Sequence, residues 1–320
     1  MPKPTGPAAE MDLLRVPLLA AARSARLRRL AEGSRLTRPV VNRFVAGRDE
    51  AAALRVTGDL VGAGLQVTLD FLGEDTTSLE QARYTVAAYR SVLAALAEQG
   101  LAAHAEVSVK LSAIGQSLPG DGQKIALDGA REICEQAARV GTTVTCDMED
   151  HTTTDCTLGI VAELRTDFPW VGAVLQAYLK RTESDCRDLA TAGSRIRLCK
   201  GAYAEPESVA FSGAAVEESY LRCLRVLFAG DGYPMVASHD PAMIAAAREL
   251  ISEHRRSPDS YEFQMLYGIR PEEQRAIVAG GHRMRVYVPY GEEWYGYFVR
   301  RLAERPANLG FFLRSLVSKR

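Results

Sequence analysis

The segment Ala105-Glu-Val-Ser-Val-Lys-Leu-Ser-Ala-Ile-Gly115 alternates apolar and polar residues, which is the period-two pattern of a β-strand. Val107 and Val109 face one side of this strand, and Ser108 and Lys110 face the other. Burying a lysine costs several kcal/mol unless its charge is paired or used. The segment therefore predicts a strand with a lysine near its carboxyl end, either on the rim of a sheet or in a functional site.

Seven similar β-rich runs lie on either side of this segment. They occupy residues 67–73, 142–150, 171–179, 194–203, 234–240, 261–268 and 283–291. Helical patterns closed by glycine fill the gaps, as in residues 78–100 and 217–230. Eight strand–helix units in succession predict an α/β protein with a (β/α)8 TIM-type barrel. A doubly wound sheet is the alternative, but the phosphate-binding patterns G-x-G-x-x-G and G-x-x-x-x-G-K-[ST] are absent from the sequence.

Polar residues close seven of the eight runs, at the positions where barrel enzymes place their chemistry. They are Lys110, Asp147 with Glu149, Gln176, Arg197 with Lys200 and Tyr203, Ser238 with His239, Gln264, and Arg285 with Tyr287. Each residue alone is more often a rim residue than a catalytic one. Their recurrence from strand to strand predicts a polar site at the mouth of the barrel.

The remaining features concern domain organisation and location. We expect a helical arm at residues 1–65, with residues 1–10 disordered and helices near 11–31 and 48–63, followed by the barrel at 66–320. The basic stretch at the start of the arm is interrupted by Arg15, so we interpret it as an amphipathic helix rather than a targeting peptide.

Composition excludes several classes of function. The 320 residues are 47% hydrophobic and 25% charged, which is typical of a globular protein, and a net charge of −1 gives no reason to expect a nucleic-acid partner. No apolar run approaches the ~18 residues of a membrane span. The six cysteines form no C-x-x-C pair, which is typical of a reducing compartment. We therefore expect a cytoplasmic protein, with peripheral contact with the membrane left open.

The C-terminal segment WYGYFVRRLAER, residues 294–305, predicts a helix directly after the last strand. Four polar residues at i, i+3, i+4 and i+7 share one of its faces, namely Tyr297, Arg300, Arg301 and Glu304. The opposite stripe is apolar and consists of Trp294, Phe298 and Leu302. A solvated face is the ordinary interpretation of such a pattern. The position after the last strand also allows this face to line the barrel mouth.

Two other kinds of site are alternatives to a polar site at the barrel mouth, namely a metal site and a Schiff-base lysine. The acidic and thiol groups between Cys146 and Cys156 could bind a metal, but consecutive strand residues point to opposite faces, so at most half could reach one ion. We predict no metal site. Lys110 or Lys200 could instead form a Schiff base, with Asp147 as the base.

The pattern Tyr-x-x-Arg-Arg-x-x-Glu at residues 297–304 resembles the signature of proline dehydrogenases. The resemblance continues in order through VSVKLSAIG, CDMED, VLQAYLKR, RLCKGAY, SHDP, EFQMLYGIRPEEQ and YVPYG, from about residue 40 onward. Little sequence follows the arginine motif, so we expect the monofunctional bacterial form. Two departures are conservative in size: Cys199 stands where valine is usual, and Ser238 where threonine is usual.

The resemblance implies an FAD-dependent barrel that oxidises L-proline to 1-pyrroline-5-carboxylate, the first step of proline catabolism to glutamate, and passes electrons to a quinone. A separate 1-pyrroline-5-carboxylate dehydrogenase would act next. Catalytic roles fall on Asp147 and Arg197. Substrate-binding roles fall on Lys110, Tyr203, Leu266, Tyr287, Arg300, Arg301 and Glu304. Cofactor-binding roles fall on Met148, Gln176, Arg197, Lys200, Gly201, Ala202, Ser238, His239 and Gln264.

The chemistry of proline agrees with these roles. Its carboxylate is best bound by planar, permanently charged donors such as Arg300 and Arg301. Its ring offers only CH₂ groups, so apolar and aromatic walls must select it. A non-catalytic amino-acid sensor would keep the two arginines but would not need the set around Lys200 and His239. Both sets are present, which favours an enzyme.

Overall fold

The barrel consists of eight parallel strands in a computed structural model that describes residues 41–73 and 76–303, with the side chains of residues 300–303, Arg300 and Arg301 among them, outside that description. The strands are β1 (Gln66–Phe71), β2 (Ala105–Val109), β3 (Val144–Cys146), β4 (Gly172–Gln176), β5 (Arg195–Cys199), β6 (Tyr233–Ala237), β7 (Glu262–Leu266) and β8 (Met284–Tyr290). Each strand pairs with the next along the chain, and β8 pairs with β1, so the barrel is closed. The doubly wound alternative is therefore wrong, and the (β/α)8 prediction is confirmed.

Helices alternate with the strands on the outside of the barrel. They are α1 (Glu50–Gly62), α2 (Leu79–Glu98), α3 (Gly122–Val140), α4 (Thr154–Asp167), α5 (Thr182–Leu189), α6 (Ala214–Ala229), α7 (Pro241–Glu253), α8 (Pro271–Ala279) and α9 (Trp294–Ala303). Side-chain caps mark the start of two of these helices. Ser78 accepts a hydrogen bond from the backbone N–H of Gln81 at the start of α2, and Asp240 accepts one from the backbone N–H of Ala242 at the start of α7.

The strands are shorter than the sequence runs that predict them. The run at 142–150 yields only Val144–Cys146, because β3 pairs with β4 through just Thr145 and Cys146. The Asp147 amide still donates to the Val109 carbonyl at 2.9 Å, after which the chain leaves the sheet. Most of the polar residues that close the runs therefore lie near the carboxyl ends of the strands or on the loops that surround the barrel mouth.

The two faces of each strand explain why the strands are buried throughout. In β2, Val107 and Val109 join the apolar core between the barrel and its helices, whereas Glu106 and Ser108 face the barrel interior. That interior is charged at its lower end, where Arg285 Nε donates to Glu262 Oε1 at 2.7 Å. The sequence placed Arg285 at the mouth beside Tyr287, and this placement is wrong because its guanidinium points down the barrel axis to a buried carboxylate.

A second apolar cluster lies at the mouth and holds α9. It contains Val41, Phe44, Val45, Leu72, Ile269, Trp294, Tyr295, Tyr297, Phe298 and Val299. The rings of Phe44 and Phe298 lie 6.2 Å apart, so the segment before α1 packs directly on the helix after β8. Burial of Trp294 and Phe298 confirms the predicted apolar stripe for those two residues.

The N-terminal arm is only partly described. The predicted helix near 48–63 is confirmed as α1, which packs on β1 and β8. The predicted helix near 11–31 lies outside the described residues, and the domain boundary at residue 65 stays a prediction. Across residues 41–73 and 76–303, every helix is too short or too polar to cross a bilayer.

Candidate active site

A cavity of about 500 Å³ opens at the carboxyl ends of the strands. This volume falls in the range of small-molecule sites, roughly 300–1,000 Å³. The cavity is lined by every residue to which the resemblance assigns a role and whose side chain the structure describes, namely Lys110, Asp147, Met148, Gln176, Arg197, Lys200, Gly201, Ala202, Tyr203, Ser238, His239, Gln264, Leu266 and Tyr287. Glu149 and Arg285, which the sequence also placed at the barrel mouth, do not line it. The sequence therefore located the cavity, although lining alone assigns no role.

Asp147 is the centre of a buried hydrogen-bond network. Its Oδ1 accepts from Arg197 Nη1 and from Ser108 Oγ, each at 2.7 Å, and its Oδ2 accepts from the Tyr287 hydroxyl at 2.6 Å. Burial alone would raise the pKa of Asp147, but the charges of Lys110 and Arg197 and these hydrogen bonds outweigh burial and lower it. Asp147 is therefore an ionised anchor at neutral pH.

Arg197 is held by Asp147 at the cavity and by Gln264 deeper in the barrel. Its Nε donates to Gln264 Oε1 at 2.6 Å, and Gln264 Nε2 in turn donates to Glu262 Oε1 at 2.6 Å. The guanidinium carbon lies 5.3 Å from the centre of the Tyr287 ring. Its Nη2 has no hydrogen-bond partner among the described residues, and lies 3.7 Å from Glu106 Oε1. The orientation of Arg197 is thus fixed.

Lys110 pairs with a carboxylate that the sequence did not single out. Its Nζ lies 2.8 and 2.9 Å from the two oxygens of Asp70, but 3.5 Å from Asp147 Oδ2. Asp70 lines the cavity and is only 1% exposed. The signal was available, because the run VTLDFLG alternates like the run of Lys110 and puts Thr68 and Asp70 on the inner face.

The opposite wall is built by the loops after β5 and β6. Lys200 Nζ lies 2.8 Å from Asp240 and 3.0 Å from Glu217. His239 Nε2 accepts from the Leu266 amide at 2.9 Å, so its imidazole is neutral and carries its proton on Nδ1. This wall offers cationic and neutral donors beside small residues.

Gly201 is needed in that wall. Its φ is +115°, a conformation that favours glycine, and a Cβ there would collide with the ring of Tyr178. Tyr178 also donates its hydroxyl to Glu205 at 3.1 Å, and Glu205 accepts from the His151 amide at 2.9 Å. One buried carboxylate therefore ties the loop after β5 to the loop after β3.

The predicted polar face of α9 reaches the cavity at one position. Tyr297 is 7% exposed and lines the cavity, as the barrel-mouth interpretation of this face requires and a solvated face does not. The side chains of Arg300 and Arg301 and the whole of Glu304 lie outside the description, so their placement at the site stays a prediction.

The alternative sites find no support in the geometry. Among the residues that the structure describes, no three His, Cys, Asp or Glu side chains assemble around a common point for a metal. Asp147 instead pairs with Arg197, and Ser112 donates to Glu149. A Schiff-base lysine reacts as a neutral amine, whereas the ion pair with Asp70 stabilises the ammonium form of Lys110.

A cavity lined by ion pairs at the carboxyl ends of the strands is where enzymes of the (β/α)8-barrel class have their active sites. The sequence matches the proline dehydrogenase family over residues 53–314. Proline dehydrogenase 1 of Bacillus subtilis (strain 168) is 39% identical over 284 residues, covering 88% of this chain and 92% of the relative. Proline dehydrogenase of Deinococcus radiodurans is 37% identical over 281 residues, covering 87% and 90%. The chain therefore belongs to the proline dehydrogenase family, and is an oxidoreductase.

The fold agrees with a solved structure of a larger protein. Proline utilization A from Bdellovibrio bacteriovorus, solved after inactivation by N-propargylglycine, superposes with a TM-score of 0.77 and 23% identity. The match covers 93% of this chain but only 37% of that chain, so the present chain spans little more than a third of that protein.

Proposed function

We propose that the protein oxidises L-proline to 1-pyrroline-5-carboxylate with FAD as cofactor, and that a quinone takes up the electrons. The product would pass to a separate 1-pyrroline-5-carboxylate dehydrogenase. The observation that carries this proposal is the single cavity that unites the Asp147–Arg197 pair, Lys110 and Tyr287 with a donor-rich wall. The further proposal of a cytoplasmic protein rests on the isolated cysteines of the sequence, and that of peripheral contact with the membrane on the amphipathic stretch near its N-terminus.

The substrate end of the cavity suits a small zwitterion. Lys110 supplies one positive charge there, and we propose that Arg300 and Arg301 supply two more for the carboxylate, with Glu304 orienting them. The apolar ring would lie against Leu266 and the aromatic groups of Tyr203 and Tyr287, which line the same cavity.

The wall that contains the loops after β5 and β6, here called the cofactor wall, has donors that suit a flavin dinucleotide. Gln176, Lys200, Ser238 and neutral His239 line it, together with small residues such as Ala202, and Arg197 has a buried Nη2 without a hydrogen-bond partner in the described chain. Lys200, His239 and the N-terminus of α7 would hold the pyrophosphate. Bound FAD would supply the hydride acceptor that amino-acid side chains do not provide.

Three residues prepare the substrate for oxidation. Asp147 and Arg197 orient one another across 2.7 Å, and Asp147 fixes the Tyr287 hydroxyl at 2.6 Å, so the ring of Tyr287 has one defined position. The amine of proline must lose a proton before a hydride can leave the adjacent carbon. Binding inside the closed cavity would disfavour the charged ammonium ion, so proline would release this proton to water as it binds.

The absorption spectrum of the purified protein tests this function. We expect flavin bands, either as isolated or after reconstitution with FAD, and their bleaching by L-proline without oxygen. A colourless protein that does not take up FAD would reject the proposal. Flavin bands that L-proline leaves unchanged would reject the substrate and keep the cofactor.

A further inference from the structure

Asp70 lies at the end of β1 with its side chain inside the barrel. The carboxylate is 1% exposed, and both oxygens lie within 2.9 Å of Lys110 Nζ. Around it, the hydroxyl of Tyr89 lies 3.5 Å from Oδ1 but donates chiefly to the Ser108 carbonyl at 2.7 Å. Lys110 is therefore the principal partner of this carboxylate among the described residues.

Among the described residues, two buried carboxylates, those of Asp70 and Asp147, lie within 3.5 Å of the Lys110 ammonium. It sits close to both oxygens of Asp70 and stays 3.5 Å from Asp147 Oδ2. Asp147 is consequently left to Arg197 at 2.7 Å and to Tyr287 at 2.6 Å. Burial raises the pKa of Asp70 and the neighbouring charge of Asp147 adds to the rise, while Lys110 opposes it. Burying an ionised carboxylate costs free energy, so the presence of Asp70 inside the barrel calls for a functional explanation.

We propose that Asp70 is a positioning residue, which holds the Lys110 ammonium toward β1 so that it binds the substrate carboxylate instead of closing on Asp147. This inference rests on the proposed function, because it takes Lys110 as a substrate-binding group. The cavity position of Asp70, its two short contacts with Lys110 and the longer contact of Lys110 with Asp147 carry it.

Removal of the charge at residue 70 should redirect Lys110. The next described carboxylate within 4 Å of its Nζ is that of Asp147, and a direct pair between them would compete with the hydrogen bond from Tyr287. Binding of a carboxylate ligand should suffer more than the oxidation step, because the Asp147–Arg197 pair at 2.7 Å remains.

The first test is Asp70→Asn, which keeps the shape and removes the charge. We expect KM for L-proline to rise about 10- to 100-fold, the range for losing one charge-assisted interaction, and kcat to fall by less than about threefold. The dissociation constant of cyclopentanecarboxylate, measured from the flavin spectrum without turnover, should rise in parallel. Asp185→Asn is the control, because Asp185 is likewise a buried carboxylate paired with a basic side chain, that of Arg181, but lies on α5, away from the cavity.

The second test is a double-mutant cycle with Lys110→Met. If Asp70 acts through Lys110, adding Asp70→Asn to Lys110→Met lowers kcat/KM no further. Comparing the double variant with Lys110→Met does not require Asp70→Asn alone to fold. Because Lys110→Met leaves the buried Asp70 carboxylate without this lysine, the unfolding transition and flavin content of both variants are measured first. The inference would be overturned if the two substitutions lowered kcat/KM by factors that multiply in the double variant, or if Asp70→Asn alone kept a near-native KM. A wild-type protein that does not oxidise L-proline would instead reject the proposed function from which the inference starts.

Discussion

Replacing Tyr287 by phenylalanine removes one hydroxyl from the centre of the site. That hydroxyl donates to Asp147 Oδ2 at 2.6 Å and lies 3.4 Å from Lys110 Nζ. Burial and the charge of Asp147 raise the pKa of Tyr287 well above its usual value, so the hydroxyl remains a donor over the whole working pH range. The change therefore deletes the short hydrogen bond to Asp147 and the longer one from Lys110, and leaves the ring in place.

The size of the effect follows from the carboxylate that loses its donor. A hydrogen bond to a charged group stabilises a protein by about 1.5–3 kcal/mol. Asp147 keeps Arg197 and Ser108 as partners, so we expect the lower half of this range, about 1.5–2 kcal/mol of unfolding free energy at neutral pH. Selection between L-proline and its hydroxylated analogue should also relax, since Tyr287 is proposed to wall the ring, and FAD should remain bound.

The pH dependence of this loss has a definite sign. In the folded protein the pKa of Asp147 is lowered, because Lys110, Arg197 and the Tyr287 hydroxyl together outweigh burial. Such a group adds stability above its unfolded pKa of about 3.9, and this contribution is lost as the pH falls through the folded value. Removing the hydroxyl raises the folded pKa. The stability difference between wild type and variant should therefore be full near pH 7 and should shrink below about pH 4.

Denaturant unfolding at several pH values measures this difference, and Tyr290→Phe is the matched control. Tyr290 lies on the same strand and is 2% exposed, but within the described residues its hydroxyl has no hydrogen-bond partner. Its removal should change the unfolding free energy by no more than about 0.5 kcal/mol, or increase it. Equal losses in both variants, or a Tyr287→Phe loss that persists unchanged in acid, would refute the role of this hydrogen bond.

Three further predictions concern the cofactor wall and α9. Gly201→Ala should lose most of the bound FAD, measured as flavin absorbance per protein, because the new Cβ collides with the ring of Tyr178. Glu205→Gln should lower the unfolding free energy by about 1–2 kcal/mol and speed FAD release, because it weakens the tie between two loops. Arg300→Met and Arg301→Met should each cut kcat/KM roughly 30- to 1000-fold while FAD stays bound; near-native kinetics would instead indicate a solvated helix face.

The sequence predicts the barrel and the position of its cavity because both depend on local patterns. Alternation in each run identifies a strand, and polar residues at its end mark the side of the barrel that carries chemistry. Arg285 shows the limit of this reasoning. It alternates correctly and faces inward, but only its height in the barrel decides that it meets Glu262 and not the cavity. Height depends on the stagger of all eight strands, which no single run encodes.

Pairing is the second property that the sequence leaves undetermined. Lys110 was predicted to need a partner, and its neighbours in the sequence suggest none. Its carboxylate comes from Asp70, 40 residues earlier. The chain brings them together because β1 and β2 are adjacent and parallel, with Thr68 opposite Glu106 and Leu69 opposite Val107. The pairing of Lys110 with Asp70 is therefore visible only in the folded barrel.

The charged interior below the site gives the active-site arginine a fixed orientation. Interiors of such barrels are usually filled by branched apolar residues, whereas here Glu106 and Glu262 meet arginines of β5 and β8. Apolar residues of similar volume would give comparable stability without the cost of burying charges. They could not, however, bind Gln264, whose amide donates to Glu262 while its oxygen accepts from Arg197. The buried Glu262 therefore fixes Gln264, and Gln264 in turn fixes the orientation of Arg197 at the cavity.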